Sequence, residues 1–263
     1  MHDLAFIFAG FVVGLIVGLT GVGGGSLMTP LLIFGFGIKP HLAIGTDLLF
    51  AAFTKMGGTV SLARQRIVPW RLVGALSMGS IPASLITLYV LHNLGPANPA
   101  VQKAMTLTLG IALLFTALAT LYKAIQGKKI PRLIAGAQLE AATRPRHWSL
   151  PVLFGVVIGT LVTLTSVGAG AIGVTALILL YPLLPLPRIV AADIAYAVPL
   201  TLVAGLGHAS LGSVDWPLLG KLLIGSLPGI WLGSQLVHKT PDRIIRSLLS
   251  LLLAYAGVKL ITI

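Results

Sequence analysis

Apolar residues run along this chain in blocks that are separated by short polar or glycine-rich stretches. The blocks lie at about 4–20, 26–38, 41–62, 70–92, 103–123, 150–165, 170–185, 187–210, 217–238 and 244–262. The longer ones reach the roughly 20 residues that a helix needs to cross the hydrocarbon of a bilayer. The pattern predicts an all-α polytopic membrane protein of about eight to ten helical segments. Because only His2 and Asp3 precede the first block, we expect that block to be a membrane segment and not a removed signal peptide.

Two pairs of neighbouring blocks are too short for full crossings and meet at glycine-rich turns. The first turn is Gly21-Val22-Gly23-Gly24-Gly25, and the second is Ser166-Val167-Gly168-Ala169-Gly170. Consecutive glycines strongly disfavour a continuous helix. Each pair is therefore predicted to be a broken helix. The sequence leaves open whether a pair spans the bilayer or turns back, and turning back would leave about six crossings.

The second half of the chain repeats the first. At a spacing of about 146 residues the pairs include Asp47 and Asp193, Val68 and Val214, Trp70 and Trp216, and Pro82 and Pro228. At a spacing of 145 the glycine turns match, with Gly23 and Gly25 opposite Gly168 and Gly170. Shared tryptophan, proline, aspartate and glycine in one register indicate an internal duplication. We predict a first membrane repeat at 1–123, a linker at 124–148 and a second repeat at 149–263.

Composition excludes several classes of protein. Only 9% of the residues are charged and 56% are apolar, with a mean hydropathy of +1.00; a soluble domain carries roughly 25% charged residues. The chain has no cysteine, which excludes a disulfide framework and a thiolate metal site. Its net charge is +12, but the basic residues stand at the ends of apolar blocks. That placement is typical of the positive-inside rule and argues against nucleic-acid binding.

The distribution of basic residues predicts how each half is oriented. The linker carries five basic residues and one acidic residue, namely Lys128, Lys129, Arg132, Arg144, Arg146 and Glu140. It should therefore be cytoplasmic. Counting blocks from the linker puts the turn at 64–71 inside and the matching turn at 208–216, which lacks Lys and Arg, outside. The two halves are thus predicted to form an inverted-topology repeat in the cell inner membrane, an arrangement common among transporters.

The glycine turns are the first candidate for a ligand-binding site. A nucleotide-binding loop would need a preceding strand in a soluble α/β unit, which these apolar blocks do not provide. Close helix packing explains isolated small residues but explains a consecutive glycine run poorly. Broken helices in inverted repeats point backbone N–H groups at anionic ligands near the middle of the membrane. We therefore expect an anion site at these turns.

Ionisable residues inside apolar blocks are the second candidate. Asp47 and Asp193 occupy equivalent places, and such carboxylates usually mark ion paths or proton relays; helix capping is the alternative. Lys55 either attracts the anion or pairs with Asp47, eight residues away. Hydroxyl residues flank the turns, namely Thr20, Thr29, Thr165, Ser166 and Thr175. They could donate to an oxyanion or bond back to their own helix. The sequence suggests no metal site, cofactor or catalytic set, and it leaves a surface role or proton relay open for His208.

Three motifs are similar to those of the sulfite exporter TauE/SafE family. They are the first glycine turn with Pro30-Leu31-Leu32, then Ala43-Ile44-Gly45-Thr46-Asp47-Leu48, and Gly212-Ser213-Val214-Asp215-Trp216 with its echo Ile67-Val68-Pro69-Trp70-Arg71. The resemblance covers essentially the whole chain. It implies a membrane carrier, usually an exporter, for sulfur anions such as sulfite or sulfoacetate. The chain departs from the family pattern at Asp47, where a hydroxyl residue is common, at Lys55, where a neutral residue is common, and in its second glycine turn.

These observations together predict a secondary transporter with no cofactor. The anion would bind between the two turns, proton coupling would fall to Asp47 or Asp193, and formation of a homodimer is left open. The predicted substrate-binding residues are Thr20, Gly23, Gly24, Gly25, Thr46, Lys55, Thr165, Ser166, Gly168 and Gly170. The alternatives are a passive anion channel and an intramembrane enzyme acting on a lipid or sulfur compound.

Overall fold

The computed structural model describes residues 2–20, 25–126, 149–236 and 242–262, and these residues form ten helices and no strand. In chain order the helices are α1 (His2–Thr20), α2 (Gly25–Phe36), α3 (Pro40–Arg64), α4 (Trp70–Leu94), α5 (Pro99–Gln126), α6 (Ser149–Thr165), α7 (Ala171–Leu180), α8 (Leu186–Ser210), α9 (Trp216–Leu236) and α10 (Asp242–Ile261). The predicted all-α fold is confirmed. Beyond Gln126, the basic linker lies outside the described residues.

Three of these helices are long and apolar enough to cross a membrane, at Trp70–Leu94, Pro99–Tyr122 and Leu186–Ser210. Shorter apolar helices accompany them, including most of α1, α2, α6 and α7. Large apolar side chains such as Phe115, Leu118 and Trp231 are exposed on the outside of the bundle. Exposing so many apolar side chains is unfavourable in water but not in the hydrocarbon of a bilayer. The chain is an all-α membrane protein.

Both predicted broken helices occur as pairs of short helices. In the second pair, α6 ends at Thr165 and α7 begins at Ala171. Between them Ser166, Gly168 and Gly170 have φ angles of 59°, 135° and 124°. These angles lie in a region that side chains with a Cβ atom rarely adopt, so the two glycines allow the sharp reversal. In the first pair, α1 and α2 flank residues 21–24, which lie outside the described part of the chain.

Helices α1 and α9 cross at glycines, with their backbones in direct contact. A methyl group added at Gly10 would collide with the carbonyl of Leu222, and one added at Gly14 would collide with that of Ser226. Helices α6 and α4 cross in the same manner, with Gly155 against Leu76 and Gly159 against Ser80. Each pair of helices runs in parallel. Small residues at such positions are what allow membrane helices to pack closely.

The glycine contacts of the two crossings correspond residue by residue. Gly10 and Gly155 are 145 positions apart, and their partners Leu222 and Leu76 are 146 apart. The glycines on the partner helices α9 and α4 correspond in the same way. Gly225 lies against the carbonyl of Ile7, as Gly79 lies against that of Val152. Each half of the chain therefore packs its first helix against the fourth helix of the other half.

Helices α3 and α8 lie side by side near the centre and run antiparallel. Gly45 lies against His208, Gly205 against Leu49, and Gly58 against Ile194. In α3 every residue from Ala43 to Ala52 is buried. Protein therefore surrounds this part of α3 on all sides. Such burial is unusual for a helix that carries an aspartate, and it places Asp47 inside the protein rather than against lipid.

Replacing Gly14 with alanine should destabilise the fold, because its methyl group has no space beside the Ser226 carbonyl. We expect a loss of about 1–3 kcal/mol, typical of overpacking, measured as a lower unfolding midpoint in detergent. Gly74→Ala is the matched control, since nothing lies within 4 Å of a methyl group there. That variant should match or exceed the parent in stability. Equal effects of the two substitutions would contradict the crossing.

Candidate functional site

Asp47 is the most deeply enclosed carboxylate that the first half provides. Its side chain is fully buried on α3, and the hydroxyl of Thr29 on α2 donates a hydrogen bond to Oδ2. Ser166, in the glycine turn of the other half, interacts with the same carboxylate. Asp47 Oδ1 and Ser166 Oγ are nevertheless buried without a hydrogen bond of standard geometry to any described residue. Buried polar atoms of this kind usually indicate water or a ligand.

Asp193 occupies the equivalent place on α8, yet its surroundings differ. It is buried, and its Oδ1 packs so closely on Gly173 of α7 that a methyl group there would collide with it. Tyr196, one turn along α8, is also fully buried and has its hydroxyl near Gly173. That hydroxyl makes no hydrogen bond within the described residues. Each half thus contributes one buried carboxylate at its broken helix, with different polar neighbours.

Lys55 is the cation that interacts with both of these carboxylates. It is half-buried on α3 and interacts electrostatically with Asp193 and with Asp47. Because α3 is continuous from Pro40 to Arg64, the eight residues from Asp47 to Lys55 span about 12 Å. That separation is too long for an ion pair. A salt bridge joins Lys221 and Asp3, far along the chain from this site.

Two predicted hydroxyl donors are engaged in holding the backbone. Thr46 Oγ1 accepts a hydrogen bond of 3.0 Å from the amide of Asp215, and Asp215 in turn accepts one from the amide of Leu218 at the start of α9. Thr165 Oγ1 donates to the carbonyl of Leu161 at 2.6 Å and accepts from the amide of Val167 at 3.1 Å. Both side chains therefore shape the region around the two aspartates.

The glycine turns contribute unequally to the described site. The carbonyls of Gly168 and Gly170 accept hydrogen bonds of 2.9 Å from the amides of Gly173 and Val174, which lie in the first turn of α7. In the first half, Thr20 ends α1 and Gly25 begins α2. Gly23 and Gly24 lie outside the described residues. The structure therefore describes the geometry of the second turn.

Sequence reasoning did not anticipate the contact between Ser166 and Asp47, because it joins the turn of one half to the carboxylate of the other. Tyr196 was also missed. A signal was available for it, since Tyr196 stands 146 residues after Phe50, which is buried and apolar. Comparing the halves for unequal polarity at equivalent buried positions would have found this residue.

The site combines two buried carboxylates and two buried hydroxyls with the half-buried ammonium group of Lys55. With all three ionisable groups charged, the sum is one negative charge. No cluster of three or more metal-binding side chains occurs in the described ranges. The ionisable groups inside a helical membrane protein usually bind and release ions or substrates. Fold and site together define a helical membrane protein with the features of a transporter.

Comparison with known proteins identifies the family. The model for "Sulfite exporter TauE/SafE" matches residues 6–260, and the chain belongs to that family. "Probable membrane transporter protein YjnA" of Bacillus subtilis (strain 168) is 35% identical over 98% of this chain and 100% of its own length. "Probable membrane transporter protein YdhB" of the same organism is 26% identical, again over 98% and 100%. No solved structure matches the chain. The protein is a membrane transporter and not an enzyme.

Replacing Thr29 with valine removes the hydroxyl bound to Asp47 and keeps the side-chain shape. At neutral pH we expect the folded state to lose roughly 1–3 kcal/mol, because the buried carboxylate loses a donor. The unfolding midpoint in detergent measures this loss. Thr175→Val is the matched control, since the Thr175 hydroxyl donates to the carbonyl of Ala171 in its own helix.

A double substitution separates this hydrogen bond from general packing. If the Thr29 hydroxyl acts through the carboxylate, Thr29→Val should have a much smaller effect in an Asp47→Asn background. An unchanged effect in that background, or equal losses from Thr29→Val and Thr175→Val, would show that the hydrogen bond contributes nothing specific.

Proposed function

We propose that this chain is a secondary transporter that exports small sulfur-containing anions, such as sulfite or an organosulfonate. The family name and the relatives support transport in general. The observation that carries the proposal is the set formed by the buried Asp47 and Ser166 and the half-buried Lys55 beside a helix break. An anion of this size needs hydrogen-bond donors and a compensating positive charge, and this set offers both.

The anion binds between the two helix breaks. Helix N-termini carry a partial positive charge and unpaired N–H groups, which favour anions. The start of α7 lies directly after Gly168 and Gly170, and the start of α2 lies at Gly25 after the first turn. Ser166 brings a hydroxyl to the second break, and Lys55 supplies the cation. Thr46 and Thr165 hold the surrounding backbone in place, and a contact of Thr20 with the anion stays a prediction.

A proton enters the cycle through the carboxylates. With Asp47 and Asp193 ionised and Lys55 protonated, the site already carries one negative charge. Adding an anion to this low-dielectric space would be unfavourable by Coulomb repulsion. Protonation of one aspartate neutralises the empty site and allows the anion to enter. We therefore propose that Asp47 or Asp193 binds the coupling proton.

The two halves form an inverted repeat in the inner membrane. Two observations support this arrangement. The equivalent helices α3 and α8 run antiparallel, and the crossings of α1 with α9 and α6 with α4 match each other contact by contact. The basic residues of the linker favour a cytoplasmic position for it. Rocking of one helix pair against the other would then expose the site to each side in turn.

Transport in proteoliposomes tests this proposal. Radiolabelled sulfite and sulfoacetate should move faster into vesicles that contain the protein than into empty vesicles, and an imposed pH gradient should change the rate. Asp47→Asn should abolish the effect of the gradient. Ser166→Ala should lower the rate about tenfold, equivalent to about 1.4 kcal/mol in the barrier.

Ser234→Ala is the control for Ser166→Ala, because Ser234 is exposed and bonds only to the carbonyl of Trp231 among the described contacts. Its rate should equal that of the parent. The substrate class would be refuted if sulfite, sulfoacetate and thiosulfate each entered vesicles with the protein and vesicles without it at equal rates. Full gradient dependence in Asp47→Asn would instead move the coupling proton away from Asp47.

A further inference from the structure

Tyr196 is a buried polar residue that the proposed transport cycle does not use. It has the largest side chain of the fully buried residues that the structure describes, and it lies on α8 three residues after Asp193. Its ring belongs to the same buried apolar cluster as Val174 and Leu177 of α7. Its hydroxyl oxygen would lie 3.1 Å from a methyl carbon added at Gly173, in the first turn of α7. Tyr196 therefore presents its hydroxyl to the second broken helix.

The Tyr196 hydroxyl is buried and makes no hydrogen bond to any residue that the structure describes. A buried tyrosine hydroxyl normally has a hydrogen-bond partner, because the loss of its hydration is otherwise uncompensated. A phenylalanine at this position would fill the same space in the core without that cost. Packing therefore explains the ring of Tyr196, whereas its hydroxyl requires a different explanation.

The first half of the chain fills the equivalent space with apolar side chains. Phe50 is the residue equivalent to Tyr196, and Met28 is the residue equivalent to Gly173, at the spacings of 146 and 145 residues. Both Phe50 and Met28 are fully buried. The second half therefore adds a hydroxyl to the ring and removes the methionine side chain, at two positions that lie next to each other. Both changes make this end of α7 more polar, which favours a role in binding over a role in packing.

Gly173 keeps the space next to the hydroxyl open. A methyl group at this position would collide with the Asp193 carboxylate and would occupy the space beside the Tyr196 hydroxyl. Glycine is therefore the residue that lets a carboxylate, a hydroxyl and the backbone of α7 come together at one point.

Two sources of positive charge are near this point. The start of α7 carries the partial positive charge of a helix N-terminus. Helix α3 also passes alongside α8 here, since a methyl group at Gly58 would be in ordinary contact with Ile194. Lys55 lies one turn before Gly58 and interacts electrostatically with Asp193. Lys55 thus offsets the negative charge of Asp193, and the start of α7 favours an anion.

We propose that Tyr196 is an anion-binding residue, whose hydroxyl donates a hydrogen bond to an oxygen of the transported anion at the first turn of α7. A phenol is a good donor to an oxyanion, and a hydrogen bond to a charged group is stronger than one between neutral groups. The inference rests on the proposed function, because it adds a residue to the same anion site. It also makes the two halves unequal, since Phe50 offers no such donor.

The unfolding midpoint in detergent, measured over a range of sulfite and sulfoacetate concentrations, tests this proposal. A bound anion raises the midpoint, and the concentration dependence gives its Kd. We expect Tyr196→Phe to weaken the affinity about tenfold or more, as for a lost hydrogen bond to a charged group. Without an anion, the midpoint of Tyr196→Phe should equal or exceed that of the parent, because the hydroxyl has no protein partner to lose.

Tyr255→Phe is the matched control, because Tyr255 is exposed on α10. It loses the same hydroxyl and should bind both anions as tightly as the parent. Initial transport rates in proteoliposomes give a second readout. There Tyr196→Phe should raise the KM for sulfite by a similar factor, whereas Tyr255→Phe should leave the KM unchanged.

Two outcomes would overturn the assignment of Tyr196 alone. One is equal affinity of the parent and Tyr196→Phe for an anion that the parent binds. The other is a lower midpoint of Tyr196→Phe in the absence of any anion, which would show that the hydroxyl is bonded within the protein. If the parent binds neither sulfite nor sulfoacetate, the proposed substrate class is refuted and the assignment of Tyr196 falls with it.

Discussion

Direct backbone contact between helices is the interaction on which the rest of this structure depends. Lipid is as apolar as leucine, so helices in a membrane gain little from burying apolar surface against each other. Here Gly14 rests on the carbonyl of Ser226 and Gly159 on that of Ser80. These crossings fix the first helix of each half against the opposite half. They thereby hold α3 and α8 at the centre, enclosed by protein, where carboxylates can be buried away from lipid.

Buried charge is the second constraint, and it links the fold to transport. Asp47, Asp193 and Lys55 would each be unfavourable in hydrocarbon. The structure reduces this cost because Lys55 interacts electrostatically with both carboxylates and because the Thr29 hydroxyl donates a hydrogen bond to Asp47. The same placement leaves atoms such as Asp47 Oδ1 without a hydrogen bond of standard geometry to any described residue. In the proposed function, this enclosed and incompletely satisfied site binds a small anion and a proton.

Much of the fold could be predicted from the sequence because it depends on local patterns. The apolar blocks predict the helices, and the glycines at 168 and 170 predict the break before α7. Both buried aspartates could be found because they recur 146 residues apart. The contact of Ser166 with Asp47 could not, since it joins distant segments by packing alone. The full burial of His208 could not be predicted for a related reason: the equivalent position in the first half is Leu62, so the repeat gives no signal there.

The inverted orientation of the two halves is tested most directly by labelling single cysteines from each side of the membrane. The chain has no cysteine, so Gln65→Cys and Ser210→Cys each introduce one at an exposed position, directly after α3 and at the end of α8. In intact cells, an impermeant maleimide should label Ser210→Cys, and it should label Gln65→Cys only after the membrane is permeabilised. Labelling of both variants from the same side would contradict the inverted repeat and the alternating site built on it.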